Sequence, residues 1–358
     1  MENIPVIVLE IIIVYFLVLY FISVFISQKN SDNEAFFLGN RQSKWWVVSV
    51  GMIGSSISGV TFVSVPGWVR ESDMTYMQMV IGFFFGYIVV AFLLLPLYYK
   101  LNLTSIYSYL GQRFGKKSMK TGSCFFILSR LTGSAAKLYL IIMVLQSLVF
   151  SHWGIPFYVT VIGTVILIWL YTYRSGVKTI IWTDFLQTCF FIIALILIIY
   201  QVAGQLDLNF SRTVEVIQSS KHSRIFIFDD WGSKQNFVKQ FLSGISIVIV
   251  MTGLDQDMMQ KNLSCKNLKD AKKNMLSYGI MFIPINLLFL GLGVLLLYYA
   301  DQKQIILPEI SDQILPFLAE QYLGLPVLIF FVIGIIGASF SSADSALTSI
   351  TTSVCVDL

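Results

Sequence analysis

Val48-Ser-Val-Gly-Met-Ile-Gly-Ser-Ser-Ile-Ser-Gly-Val-Thr-Phe-Val-Ser-Val-Pro-Gly67 is long and apolar enough to cross a bilayer, yet it gathers Gly51, Gly54, Ser55, Ser56, Ser58 and Gly59 at mid-membrane depth. Two readings fit that cluster. Small residues let neighbouring helices approach closely. A helix broken at such a point frees backbone carbonyls, which can coordinate a cation if they face a cavity lined by protein.

The rest of the chain is the setting such a segment needs. Of 358 residues, 56% are hydrophobic and only 12% charged, with a mean hydropathy of +0.76, which excludes a soluble globule. Apolar stretches run on without period-two alternation, so the elements are helices and not the strands of a barrel. Nine spans are expected: 5–27, 44–70, 74–100, 121–150, 154–174, 178–203, 236–258, 272–300 and 324–354. Several exceed the ~20 residues that cross a bilayer core, so tilt, breaks or projecting ends are expected. The first lacks a basic leader and a cleavage site and reads as a retained span.

Basic residues alternate between loops. Loops 28–44, 100–120, 174–178 and 259–273 hold 3, 5, 2 and 5 Lys or Arg, whereas 70–73, 151–153, 205–235 and 300–323 hold 1, 0, 4 and 1. The first set is expected in the cytoplasm, which places the N-terminus outside and the Leu358 end inside a multi-pass plasma-membrane protein. The net charge of +4 is too small and dispersed for nucleic acid. Four cysteines without metal or disulfide spacing read as free thiols. His152 and His222 lie in loops without a nucleophile or ligand pattern, and no Walker motif is present, so no catalytic residues and no organic cofactor are expected.

The ninth span, Gly337-Ala-Ser-Phe-Ser-Ser-Ala-Asp-Ser-Ala-Leu-Thr-Ser-Ile-Thr-Thr352, is too rich in hydroxyls to face lipid. Ala338, Ser341 and Ser342 share one helix face at i, i+3 and i+4. Their oxygens suit a hard monovalent cation, although Ser and Thr also bond back to the preceding turn. Two acids complete the set. Asp184 in the sixth span and Asp344 in the ninth each need a partner or a function. The structural alternatives are a cap or interface acid near Lys178 for Asp184, and a pair with Arg130 or Lys137 for Asp344.

Six ordered motifs carry a resemblance that runs from the first span to the last residue. They are Glu34-Ala-Phe-Phe-Leu-Gly-Asn-Arg41, Ser56-Ile-Ser-Gly59, Tyr109-Leu-Gly-Gln-Arg-Phe-Gly115, Ile181-Trp-Thr-Asp-Phe-Leu-Gln187, Gly253-Leu-Asp-Gln-Asp-Met-Met-Gln-Lys261 and Ser341-Ser-Ala-Asp-Ser-Ala-Leu-Thr-Ser-Ile-Thr-Thr-Ser-Val-Cys-Val-Asp357. In these the chain resembles the sodium:solute symporters, which include sodium-coupled transporters of sugars, proline, sialic acid, iodide, vitamins and monocarboxylates. The resemblance implies an all-α, LeuT-like inverted-repeat bundle in one domain spanning 1–358. Residues 5–27 would be an extra N-terminal helix, 44–203 the first five-helix repeat and 236–358 an incomplete second repeat, with a second helix break at Met251-Thr-Gly253.

The same resemblance implies a principal sodium site at the carbonyls of Gly54, Ile57 and Ala338 and the hydroxyls of Ser341 and Ser342. A second sodium site, present in some members, falls on Asp184, Asp344 and Ser345, where the acid at 344 replaces the usual hydroxyl. Ser55, Ser58, Gln78, Met251 and Thr252 are candidates for the solute pocket. Family sugar carriers present an Asn and an aromatic on the seventh span, and Val248–Thr252 has neither. The family continues past the position of Leu358 through further core helices, so a C-terminally truncated chain is expected. The implied function is Na⁺-coupled symport of a small organic solute by alternating access, with Na⁺ the only metal, the lipid bilayer as surroundings and no obligate protein partner. The alternatives are a symporter-like membrane sensor and a non-functional truncated transporter.

Overall fold

In hydrocarbon the backbone must satisfy its own hydrogen bonds, and apolar stretches therefore become helices. The computed structural model describes residues 4–26, 33–172 and 176–358, and within them it is helical apart from loops and one isolated bridge between Ser43 and Cys265. Parts of two basic loops, with Lys29 and Arg174, lie outside the described residues.

The chain begins with α1 (Ile4–Ile26) and a short α2 (Asn33–Leu38). The stretch quoted above forms α3 (Trp45–Ser56) and α4 (Gly59–Ser72), bent by 67° at the break. Next come α5 (Tyr76–Val89) and α6 (Leu95–Lys100), joined by a π-turn at Val90–Leu94 into one span. A surface helix α7 (Ser108–Phe114) leads to α8 (Lys116–Leu148), α9 (Phe157–Thr172) and α10 (Val177–Gln205). The long loop that follows carries α11 (Phe210–Ser219). The second broken span comprises α12 (Phe237–Val248), a π-turn at Ile249–Gly253 and α13 (Gln256–Leu263), again bent by 67°. The chain closes with α14 (Leu268–Gln302), α15 (Ile314–Gln321) and α16 (Gly324–Asp357).

Each of the nine expected spans corresponds to a helical segment among the described residues, some running past the apolar window, as α14 and α16 do, and one shorter, α9, at 16 residues. The 35 residues of α14 extend about 52 Å at 1.5 Å per residue, well beyond a ~30 Å core, because polar turns continue its helix outside the apolar part. The long loop expected to form a small surface element supplies α11.

Helices α16 and α14 are central, with 67% and 61% of their most apolar windows buried, against 11% for α8. Close approach depends on small residues where helices cross. A Cβ added to Gly244 of α12 would lie 3.1 Å from Gly82 Cα of α5, so a side chain at either position would part the pair.

The loops sort into two ends. At one, Ser43 N–H donates to the Ser264 carbonyl (3.1 Å), Gln260 to the Phe37 carbonyl (2.9 Å), Ser105 to Asp357 (2.7 Å) and Lys120 to the Leu358 carbonyl (2.8 Å). At the other, His222 meets Asp73 (2.9 Å), Gln78 donates to the Gln235 carbonyl (2.8 Å) and Gln205 to the Leu323 carbonyl (2.7 Å). The described parts of the basic-rich loops thus share one end. All four cysteines are free, and burial pushes the Cys265 thiol at that end up to about 12.

Candidate functional site

Helix α3 ends at Ser56, and its last two serines bond back to its own carbonyls. Ser55 Oγ donates to the Gly51 carbonyl (3.2 Å) and Ser56 Oγ to that of Met52 (3.0 Å), and Ile57 then turns extended at φ −84°, ψ 107°. The last rung of α3 runs from Ile57 N–H to the Ile53 carbonyl (2.8 Å). The carbonyls of residues 54–57 therefore lie in the final turn, where an α-helix has no further amides to offer. Gly54 and Gly59 keep this turn close to its neighbours. A Cβ on Gly54 would collide with Thr188 Oγ1 and sit 3.2 Å from Ser341 Oγ, and one on Gly59 would strike Ser339 Oγ.

Helix α16 brings its hydroxyls to that turn. Ser342 Oγ lies 3.4 Å from the Ser55 carbonyl and 3.4 Å from the Ala338 carbonyl, so one hydroxyl spans the break of α3 and the turn of α16. Ser341, one residue earlier, donates instead to Asp184 Oδ1 (2.5 Å). Gly54, Ile57, Ala338, Ser341 and Ser342 are all buried, on the two elements expected to meet.

Beside this group sits a buried ion pair. Lys261 of α13 places its ammonium 2.7 Å from Asp184 Oδ2 of α10, with the two side chains 4% and 0% exposed. Lys261 also donates to Ser345 Oγ (2.7 Å) and to Ser55 Oγ. Asp184 Oδ2 lies in addition within 3.1 Å of Ser55 Oγ and 3.2 Å of Ser345 Oγ. Four helices, α3, α10, α13 and α16, thus converge on one carboxylate.

Both structural alternatives considered for the acids are corrected. The cation at Asp184 is Lys261 and not Lys178, because the bend after α12 carries α13 back into the bundle. Asp344 accepts from the Tyr171 hydroxyl of α9 (3.1 Å) and lies 3.4 Å from Ser345 Oγ, while Arg130 pairs with Asp255 and Asp257. Lys261 received no role from sequence reasoning.

The five candidates for the solute pocket do not converge. Ser55 belongs to the ion-pair cluster, and Gln78 clamps the long loop through the Gln235 carbonyl (2.8 Å) and Ile227 N–H (3.1 Å). Ser58 and Thr252 are buried, but Met251 is 66% exposed. Nearer the break, the Tyr278 hydroxyl of α14 meets Ser56 Oγ and the Tyr87 hydroxyl of α5 (2.8 Å), a polar contact amid the rings of Phe83 and Phe282. A cavity of about 900 Å³ lies elsewhere, among apolar side chains of α10, α11 and α14 such as Ile199, Phe210 and Leu287.

The second break is built differently. Its Gly253 carbonyl accepts from the Tyr98 hydroxyl (2.9 Å), and Asp255 caps α13 by accepting from Met258 N–H (3.1 Å) while bonding Arg130.

Comparison with known proteins identifies the family. The sodium/sialic acid symporter NanT of Aliivibrio fischeri is 26% identical over 92% of this chain and 65% of its own length. The human sodium/iodide cotransporter is 25% identical over 91% of this chain and 51% of its own. The chain thus spans about half to two thirds of the length of these relatives. A solved structure of a Na⁺-coupled sialic acid symporter, substrate-bound and outward-open, superposes with a TM-score of 0.86 over 98% of this chain and 73% of that one at 22% identity, which establishes a shared fold. With the Sodium:solute symporter family model matching residues 36–358, the chain belongs to the sodium:solute symporter family, a family of transporters and not of enzymes.

Proposed function

We propose that this chain carries out Na⁺-coupled symport of a small organic solute across the plasma membrane by alternating access. The observation that carries the reading is the Ser342 hydroxyl set between the Ser55 and Ala338 carbonyls, which ties the broken α3–α4 span to α16 through oxygen. The carbonyls of Gly54, Ile57 and Ala338 with the hydroxyls of Ser341 and Ser342 would hold Na⁺ as co-substrate. Neutral oxygens suit a monovalent ion that must leave again. An ion held there favours the arrangement in which break and α16 stay together, so Na⁺ and solute strengthen each other's binding reciprocally. Movement of the broken spans against the rest would then release both to the cytoplasm. The basic-rich loop end faces the cytoplasm in this reading, with the N-terminus outside and the Leu358 end inside. Relatives are named for sialic acid and monocarboxylates, which are the organic solutes to try first, and for iodide, which serves as the inorganic comparison.

The test is thermal stability of the purified chain in Na⁺ against K⁺ at equal ionic strength, with and without each solute. At a hundredfold excess over its dissociation constant Na⁺ should stabilise by about 2.7 kcal/mol, and one solute should add a further rise in Na⁺ only. Equal melting in Na⁺ and K⁺ from a folded sample would overturn the site.

A further inference from the structure

We infer that Lys261 is the resident cation of a second site, its ammonium taking the place a second Na⁺ would fill. This deepens the Na⁺-coupled reading and rests on it for the meaning of the count. Its evidence is separate. The oxygens around Lys261 Nζ are Asp184 Oδ2 (2.7 Å), Ser345 Oγ (2.7 Å) and Ser55 Oγ. One carboxylate and two hydroxyls, gathered from three helices, form a cation cage by the chemistry of hard ligands. Each of the three ammonium protons has one of these acceptors, so the cage satisfies Lys261 completely.

The lysine is also held in place from its own helix. Asp257, one turn earlier on α13, lies 3.8 Å from Lys261 Nζ and is itself bridged to Arg130 (3.2 Å). The corner is rich in carboxylates, with Asp257 3.8 Å from Lys261 Nζ and buried Asp344 3.4 Å from Ser345 Oγ, and the ammonium is the cation that sits on Asp184 among them. Ser341, which donates to the other oxygen, Oδ1 (2.5 Å), links this cage to the principal group without sharing the ammonium. Asp184 and Ser345 therefore act as ligands to a tethered cation, and the chain couples one Na⁺ where an empty cage would take two.

The experiment is equilibrium binding of radioactive sodium to the full chain in detergent at neutral pH. Wild type is compared with Lys261→Met, Lys261→Gln, Lys261→Arg and the neutral pair Asp184→Asn with Lys261→Gln. The expected result is one additional Na⁺ per chain in Lys261→Met and Lys261→Gln, with no gain in Lys261→Arg. The neutral pair, which removes the carboxylate and its ammonium together, should bind the same number as wild type. Equal stoichiometry in wild type and the two neutral lysine variants overturns the inference. So does a gain in Lys261→Arg, or one Na⁺ fewer in the neutral pair, which decides the matter even if the single variants fail to fold. The coupling proposal fails separately: a wild type that binds no Na⁺ beside a Lys261→Met that binds one upholds the tethered cation and overturns the Na⁺ coupling.

Discussion

Between Ser56 and Gly59 the chain turns through 67°, and between Gly253 and Gln256 it turns through the same angle. At the first turn, carbonyls at the end of α3 meet hydroxyls from α16, and Ser342 spans the two at 3.4 Å on either side. At the second, the Gly253 carbonyl already has the Tyr98 hydroxyl at 2.9 Å, and the start of α13 has Asp255 as its cap. A break whose polar groups are satisfied by side chains is a bend. The first break gathers several oxygens from two elements, with the Ser342 hydroxyl reaching both the Ser55 and the Ala338 carbonyls. The proposed Na⁺ site belongs to the first break, whereas the second carries α13 with Lys261 into the bundle.

The largest expected effect separates the carboxylates serving each break. Asp184→Ala leaves the Lys261 ammonium buried without its acid and should lower the unfolding free energy by roughly 3–5 kcal/mol. Asp255→Ala leaves Arg130 its other partner, Asp257, at 3.2 Å, and should cost roughly 1–3 kcal/mol. Chemical denaturation in detergent measures both, and equal losses would erase the distinction. Next comes Ser342→Ala, expected to raise the Na⁺ concentration for half-maximal stabilisation by about five- to tenfold, from the ~1 kcal/mol of one hydrogen-bonding group. An unchanged value would remove Ser342 from the ligand set. The smallest effect is that of Tyr98→Phe, which strips the Gly253 carbonyl of its donor. It should cost about 1 kcal/mol of stability and leave the Na⁺ midpoint where it was. A shift matching that of Ser342→Ala would mean that both breaks take part in ion binding.

Much of this contrast is written in the local sequence. Glycine and serine at 51–59 are poor at continuing a helix and good at packing close to another, and the clustered hydroxyls of 339–352 have no reason to face lipid. Both features arise within a few turns and can be read there. Lys261 could not be found the same way, because in sequence it stands among the lysines of a basic loop and its burial depends on a bend several residues earlier. Two signals pointed to it. Asp184 needed a cation inside the bundle, and Asp257 and Lys261 lie at i, i+4 on the continuation of a broken span. Met251 misled for a related reason: the π-turn at Ile249–Gly253 shifts the helical phase, so a residue placed at the break by its sequence ends up 66% exposed. Gln78 was expected at a solute, and its amide instead serves the loop at 227–235, a long-range partner that no local pattern encodes.

The separation of 77 positions between Asp184 and Lys261 has a consequence for biogenesis. A chain emerging from the ribosome presents α10 to the translocon well before α13 exists, and its carboxylate must wait without its cation. Asp184 lies two turns from the start of α10, at the end of the molecule where the basic loops gather, so the waiting acid can stay near the interface until α13 folds back. Assembly of this corner is therefore ordered by translation, and α16 closes it last. Stalled chains ending before Lys261 should leave a thiol probe placed beside Asp184 open to aqueous reagents, and chains extending past Thr352 should shield it.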